Sequence, residues 1–257
     1  MDYEQFKVQI YNLTHIDLNA YKERQMKRRI DALIAKHKFE GYGPYVDEIR
    51  KNSKLFEEFV NYLTINVSEF YRNPEQWKHL DQEIFPQLIK KFGRQLRIWS
   101  AACSTGDEPY SLVMALSKHL PLSNIKIIAT DIDKQVLEKA QVGLYNQKSL
   151  AGVPKEFVDK YFTKIGEKNY QICDEIKACV EFKQHNLLLD TYPTNLDLIV
   201  CRNVVIYFTD EAKTEIYKKF NDSLKKDGIL FVGSTEQIIN YRDLNYSSVK
   251  SFFYTKN

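Results

Sequence analysis

Residues 98–110 read IWSAACSTGDEPY. An apolar strand end, Ile98-Trp99, runs into small residues and a single glycine, Gly106. Asp107-Glu108-Pro109 follows, then the apolar-periodic run SLVMALSKHL. The outline is strand, tight turn, helix, and two chemistries use such a turn. Ala102-Cys103-Ser104-Thr105-Gly106 is similar to a nucleophile elbow with alanine in place of the first glycine. The same outline fits the first βα turn of a nucleotide- or cofactor-binding α/β fold, with too few glycines for the dinucleotide fingerprint.

The surrounding pattern favours the α/β frame. After Gly93, strand candidates at 96–100, 125–130, 180–183, 196–201 and 229–233 alternate with helices at 107–119, from 134, and at 211–224. A last strand is expected at 251–254. Such alternation predicts a doubly wound, mainly parallel Rossmann-like sheet with its ligand site at the carboxyl ends of the strands. Residues 161–182 break the rhythm with short β-prone pieces around GEKN, predicting a small antiparallel inserted β-subdomain. Residues 1–90 carry only helical periodicity: Met26, Ile30 and Leu33 form one stripe, and Leu55, Phe59 and Leu63 another. The expected organisation is therefore an N-terminal helical domain and linker at 1–90, a ligand-binding domain at 91–257, and the insertion at 161–182.

Composition narrows the function classes. With 257 residues and 44% hydrophobic content, a packed core is expected and disorder is not. A net charge of +3 speaks against a dedicated nucleic-acid binder. Apolar runs such as LDLIV at 196–200 are strand-length, too short for membrane insertion. The N-terminal MDYEQFKVQI lacks a secretory h-region, and the four cysteines show no CxxC pairing. A cytoplasmic protein with reduced thiols and no metal site is expected.

The elbow reading needs an acid and a histidine after Ser104. Only His119 and His185 follow. His119 sits in the helix directly after the turn, and no oxyanion loop precedes the turn. The cofactor reading needs a carboxylate at the next strand end, and Asp131 ends IKIIAT, 25 residues after Gly106. Asp133 can N-cap the next helix, leaving Asp131 for ribose hydroxyls. One glycine is enough if no pyrophosphate approaches the backbone, which suits a cofactor without phosphates such as S-adenosyl-L-methionine (AdoMet). Glu108 lies where its amino-acid tail would rest, or serves only as a favourable charge in the first turn of a helix. Asn186, after the third strand, and Arg202-Asn203, after the fourth, stand at further strand ends.

Taken together, INVSEFYR (65–72), WSAACSTGDEPYSL (99–112), ATDID (129–133), HNLL (185–188), CRNVVIYF (201–208) and LKKDGILFVGSTE (224–236) resemble the CheR-type chemotaxis receptor methyltransferases over nearly the whole chain. The resemblance implies an AdoMet-dependent protein-glutamate O-methyltransferase that esterifies glutamates on chemoreceptor cytoplasmic helices and releases S-adenosyl-L-homocysteine (AdoHcy). It implies cofactor contacts at Asn66, Ser68, Arg72, Glu108, Asp131, Asn186, Leu187, Cys201, Arg202 and Asn203. Arg72 and Tyr207 would flank the transferred methyl. Ser68 and Asp107 stand where family members often carry Thr and Glu. The basic run KERQMKRR at 22–29, with Arg24, Lys27 and Arg28, would meet the acidic receptor bundle, or is simply a solvated face. The insertion would dock receptor, and its short KIGEKN turn suggests a Bacillus-type member independent of the receptor C-terminal pentapeptide. A monomer is expected. A CheR-like module that binds AdoMet or receptors without transferring methyl is the alternative.

Overall fold

The computed structural model describes residues 1–257, which form two units: Met1–Asn66 with Val205–Glu215, and Val67–Val204 with Ile216–Asn257. The first unit is helical. Helix α1 (Tyr3–Thr14) starts at a capping box, in which the Asp2 carboxylate accepts from Gln5 N–H (2.8 Å) and the Gln5 side chain accepts from Asp2 N–H (3.1 Å). Helices α2 (Glu23–Lys36), α3 (Tyr42–Ile49) and α4 (Ser53–Thr64) follow. Both apolar stripes expected on α2 and α4 are buried, and Phe59 stands edge-on to Phe6 and Tyr45. Arg24 and Arg28 remain exposed on α2. Val205–Glu215 belongs here through backbone pairing. Lys22 N–H donates to the Tyr207 carbonyl (2.9 Å) and Thr209 N–H to the Ala20 carbonyl (2.8 Å). The Tyr21 and Phe208 rings meet at 4.8 Å.

The second unit opens with a helix in which α5 (Pro74–His79) passes through a π turn (Leu80–Ile84) into α6 (Phe85–Phe92). Strand β1 (Arg97–Ala101), helix α7 (Asp107–Leu116), strand β2 (Lys126–Asp131) and helix α8 (Lys134–Val142) come next. Then follow β3 (Leu144–Asn146), α9 (Lys155–Tyr161), β4 (Phe162–Ile165), β5 (Asn169–Ile172), α10 (Asp174–Lys177) and β6 (Val180–Gln184). The chain ends with β7 (Leu196–Cys201), α11 (Asp210–Ser223), β8 (Leu224–Val232), β9 (Tyr246–Lys250) and β10 (Phe253–Lys256).

Seven strands build the main sheet in the order β6-β2-β1-β7-β8-β10-β9. The first five are parallel, and β10 runs antiparallel to both its neighbours. This is the expected Rossmann-like α/β architecture with one reversed strand. Every residue of β7 is buried, as a continuous apolar run predicts for a strand covered on both faces. Its one charge, Asp197, accepts from Arg97 N–H (2.7 Å) and pairs with Lys225 (2.8 Å). Trp99 of β1 is fully buried and meets Phe220 of α11 at 5.5 Å.

Several elements fall elsewhere than the sequence suggests. Strand β8 begins at Leu224 rather than 229, and the final strand lies at Phe253–Lys256 rather than 251–254. Phe252, at φ 70, is spent on the turn before it. Strand β9 was not expected; the exposed Ser247, Ser248 and Val249 of this edge strand give it no apolar alternation. The small antiparallel sheet forms with the order β3-β5-β4, but its third strand, Leu144–Asn146, lies outside 161–182. Val180–Gln184 belongs to the main sheet. Gly143, at φ 68, turns α8 into β3, and a Cβ there would lie 2.5 Å from Ile172 Cγ2. No helix is long and apolar enough to cross a membrane.

Asp197→Ala would leave a main-chain N–H of β1 without its acceptor and Lys225 without its partner. A loss of about 2 kcal/mol is expected, read as a lowered urea midpoint.

Candidate active site

The turn after β1 is built from alternating left-handed residues: Ala102 (φ 59), Ser104 (φ 49) and Gly106 (φ 87). Cys103 N–H donates to the Thr130 carbonyl (2.8 Å), and Ser104 N–H to Asp131 Oδ2 (2.8 Å). The turn is thereby fastened to the end of β2. Only Gly106 is glycine because only there does a Cβ have no room: it would lie 2.9 Å from Ala140 Cβ and 3.1 Å from the Tyr110 ring. Asp133 N-caps α8 by accepting from Gln135 N–H (2.9 Å), as expected, while Asp133 N–H donates to Asp131 Oδ1 (3.0 Å). Burial pushes the Asp131 carboxyl up to about 6 despite these N–H contacts.

Glu108 accepts from Ser100 Oγ (2.9 Å) and faces Arg202 at 3.5 Å. Burial raises the Glu108 carboxyl above its ordinary value, opposed mainly by the Arg202 charge. Asp107, which sequence reasoning gave no role, is buried and raised for the same reason; it accepts from Thr105 Oγ1 at 2.5 Å and from the Ser68 hydroxyl. Arg202 reaches across to residues 72–76. Its Nη2 donates to the Arg72 carbonyl (2.6 Å), Asn73 Oδ1 (3.1 Å) and Gln76 Oε1 (2.8 Å), and its guanidinium lies 4.8 Å from the Phe231 ring centre.

One crevice collects Ser68, Arg72, Glu108, Arg202 and Asn203 on its walls, together with Ala102, Cys103 and Ser104 from the turn. Asp131 is joined to it through Ser104. Cys201 is buried at the end of β7. Asn186 and Leu187, after β6, do not line the crevice. The Asn186 side-chain oxygen accepts from Leu188 N–H (2.9 Å), and the Leu187 carbonyl from the Tyr192 hydroxyl (2.7 Å). Asn66 lies in the first unit, where its amide donates to Thr64 Oγ1 (2.9 Å). Tyr207, Arg24, Lys27 and Arg28 also belong to that unit, and Lys27 is already paired with Asp31 (3.0 Å).

The elbow reading fails on geometry. Ser104 Oγ is buried without a hydrogen-bond partner. His119 pairs with Asp81 (2.7 Å), and His185 packs on Trp99 and meets the Thr191 carbonyl. Burial also drives the Cys103 thiol well above its ordinary value, so it is no thiolate nucleophile.

A parallel sheet with a reversed β10, a one-glycine turn after β1 and a carboxylate, Asp131, at the end of β2 define a Rossmann-like cofactor-binding domain. Residues 66–253 match the family described as CheR methyltransferase, SAM binding domain, and residues 1–64 match CheR methyltransferase, all-alpha domain. The chain belongs to the CheR methyltransferase family. A chemotaxis protein methyltransferase of Listeria innocua is 41% identical over 94% of this chain and 92% of its own length. Those of Listeria monocytogenes and Borreliella burgdorferi are 40% and 31% identical, covering 94% and 92% of this chain and 92% and 88% of their own lengths. The protein is thus an AdoMet-dependent methyltransferase of chemotaxis. The residues present fit the cofactor: Asn203 Oδ1 and Ser104 Oγ are buried polar atoms that no protein group satisfies, and Glu108 and Asp131 bring carboxyl oxygens to the same turn.

Gly106→Ala would place a side chain at φ 87 and force Ala140 and Tyr110 aside. It should cost about 1–2 kcal/mol for the backbone alone. A thermal melt of the cofactor-free protein and an AdoHcy titration should both show the loss.

Proposed function

We propose that the chain transfers the AdoMet methyl group to glutamate side chains on chemoreceptor cytoplasmic helices, forming methyl esters and leaving AdoHcy. The observation that carries this reading is the crevice itself, which brings Arg72 beside Glu108, Arg202 and Asn203 with no histidine among its walls. The relatives named as chemotaxis protein methyltransferases support the same choice. When bound, the cofactor supplies a methyl group on a sulfonium. The accepting glutamate is already ionised at pH 7 and needs no general base. Its oxygen forms the new bond to the methyl carbon while the carbon–sulfur pair returns to sulfur, so no proton moves.

The chain's contribution is then binding and alignment. Glu108 meets the ammonium of the amino-acid tail and Asp131 the ribose hydroxyls. Asn66, Ser68, Arg72, Asn186, Leu187, Cys201, Arg202 and Asn203 supply the remaining contacts. Arg72 and Tyr207 orient the glutamate, a role in which correct placement alone is worth up to roughly 7–11 kcal/mol in ideal cases. Tyr207 is tied through its carbonyl to the start of α2, the helix that exposes Arg24 and Arg28. A glutamate-rich bundle guided by α2 would therefore be led toward Tyr207 by complementary charge. Because Lys27 is engaged with Asp31, Arg24 and Arg28 carry most of this attraction. The small sheet docks the receptor, without a requirement for a C-terminal pentapeptide, and the enzyme acts in the cytoplasm as a monomer.

Incubation with methyl-labelled AdoMet and receptor fragments should give base-labile label on glutamate. Arg72→Ala and Tyr207→Phe should lower turnover tenfold or more, on the order of one lost orienting contact, with AdoHcy still bound by Tyr207→Phe. Label absent from glutamate, or normal turnover in both variants, refutes the reading. A second outcome follows from Asp131. Its carboxylate form receives the ribose hydroxyls, so AdoHcy affinity should weaken as pH falls through about 6. Calorimetric titrations between pH 7.5 and 5 should show this step, and Asp131→Asn should flatten it.

A further inference from the structure

The Glu236 carboxylate is buried, with the residue 4% exposed. It accepts three main-chain hydrogen bonds: from Asn203 N–H (2.5 Å), Val204 N–H (2.7 Å) and Gly233 N–H (2.9 Å). The reason lies in the sheet. Strands β7 and β8 stay paired only as far as Cys201 opposite Val232. Beyond that pair the N–H groups of Asn203, Val204 and Gly233 have left the ladder and need acceptors. One carboxyl side chain serves both turns at once. Position 233 is glycine because the carboxylate fills its side-chain space: a Cβ would lie 2.5 Å from Glu236 Oε2 and 2.8 Å from Asn203 N. The loop bearing Glu236 is anchored in turn, since Ile238 N–H donates to the Tyr254 hydroxyl (3.0 Å) and the Tyr217 hydroxyl to the Glu236 carbonyl (3.4 Å).

We propose that Glu236 is a positioning residue for cofactor binding, clamping the turn after β7 so that Asn203 keeps its left-handed backbone and its side chain stays on the crevice wall. Asn203 sits at φ 61, and its buried Oδ1 has no protein partner. Asparagine tolerates this conformation better than most residues but does not enforce it. The two short N–H bonds to Glu236 do. The inference rests on Asn203 contacting the cofactor, as proposed above, and concerns affinity rather than methyl transfer.

The test uses the full chain, with AdoHcy as probe. Glu236→Gln swaps one acceptor oxygen for a donor facing an N–H. It should weaken AdoHcy about tenfold, the value of roughly one hydrogen bond. It should also speed amide exchange at Asn203 and Val204 in the cofactor-free protein while the rest of the sheet stays protected. Asn203→Ala should weaken AdoHcy similarly. The double variant should be little weaker than either single one, because both act through the same contact. Additive losses, or wild-type affinity in Glu236→Gln when Asn203→Ala is impaired, overturn the proposal. An unimpaired Asn203→Ala refutes instead the cofactor contact on which it rests. If Glu236→Gln does not fold, Glu236→Asp keeps the charge and withdraws the carboxylate by one methylene; full affinity in that folded variant is equally fatal.

Discussion

Arg202 is a cation held out of water at the end of the central strand, with its side chain 2% exposed. An unpaired charge there would cost several kcal/mol, so its surroundings are arranged to satisfy it. The Arg72 carbonyl, Asn73 and Gln76 accept from it, Glu108 faces it, and Phe231 and Trp77 offer ring faces. This requirement draws the segment after the first unit onto the strand ends. Trp77 Nε1 donates to the same Arg72 carbonyl (2.9 Å), and Ser111 Oγ accepts from Tyr71 N–H (3.1 Å). Arg72 thus rises from a backbone fixed on both sides.

Strain gathers around the same place. Five non-glycine residues there adopt left-handed backbone: Tyr71, Asn73, Ala102, Ser104 and Asn203. Each stores about 1–3 kcal/mol and persists only where its surroundings over-determine it. The Ser104–Asp131 bond, the Ser111–Tyr71 bond and the Glu236 clamp are those constraints. They hold the turn in one shape without help from any ligand.

Much of this was legible in the sequence, and the exceptions have physical reasons. The helices and parallel strands follow directly from apolar spacing, since their buried faces repeat at 3.6 or run continuous. Gly106 and Asp131 could be paired from order alone because the βα turn is a local device. Residues 205–215 could not be assigned to the first unit, because their link is main-chain pairing of Ala20 and Lys22 with Thr209 and Tyr207, which leaves no trace in side-chain pattern. Strand β3 is three residues long, and β9 is a polar edge. Glu236 reads in sequence as one more loop acid. Its only signal is the preceding Gly233 at the end of a buried strand, where a missing side chain makes room for a carboxylate. Asn186 and Arg202 stand at strand ends as expected, but much of their hydrogen-bonding capacity holds their own turns or neighbouring backbone.

The electrostatics of the crevice suit the proposed reaction in a further way. A sulfonium and a carboxylate enter, and a neutral thioether and a neutral ester leave, so transfer extinguishes two charges. Water stabilises those charges before reaction and less so at the transition state, and a dry cleft reverses that preference. Burial already pushes up the Asp107, Glu108 and Asp131 carboxyls. A cation that guides the acceptor should therefore be held loosely, because a tight ion pair would restore the ground-state stabilisation that the cleft removes. Arg72 meets that condition. Its side chain is half-buried and makes a long 3.4 Å hydrogen bond to the Val67 carbonyl, whereas Arg202, only a few ångströms from its backbone, holds three acceptors on Nη2 alone. The two arginines differ in kind: Arg202 is held by three acceptors, and Arg72, with one long bond, is the cation left for the proposed substrate.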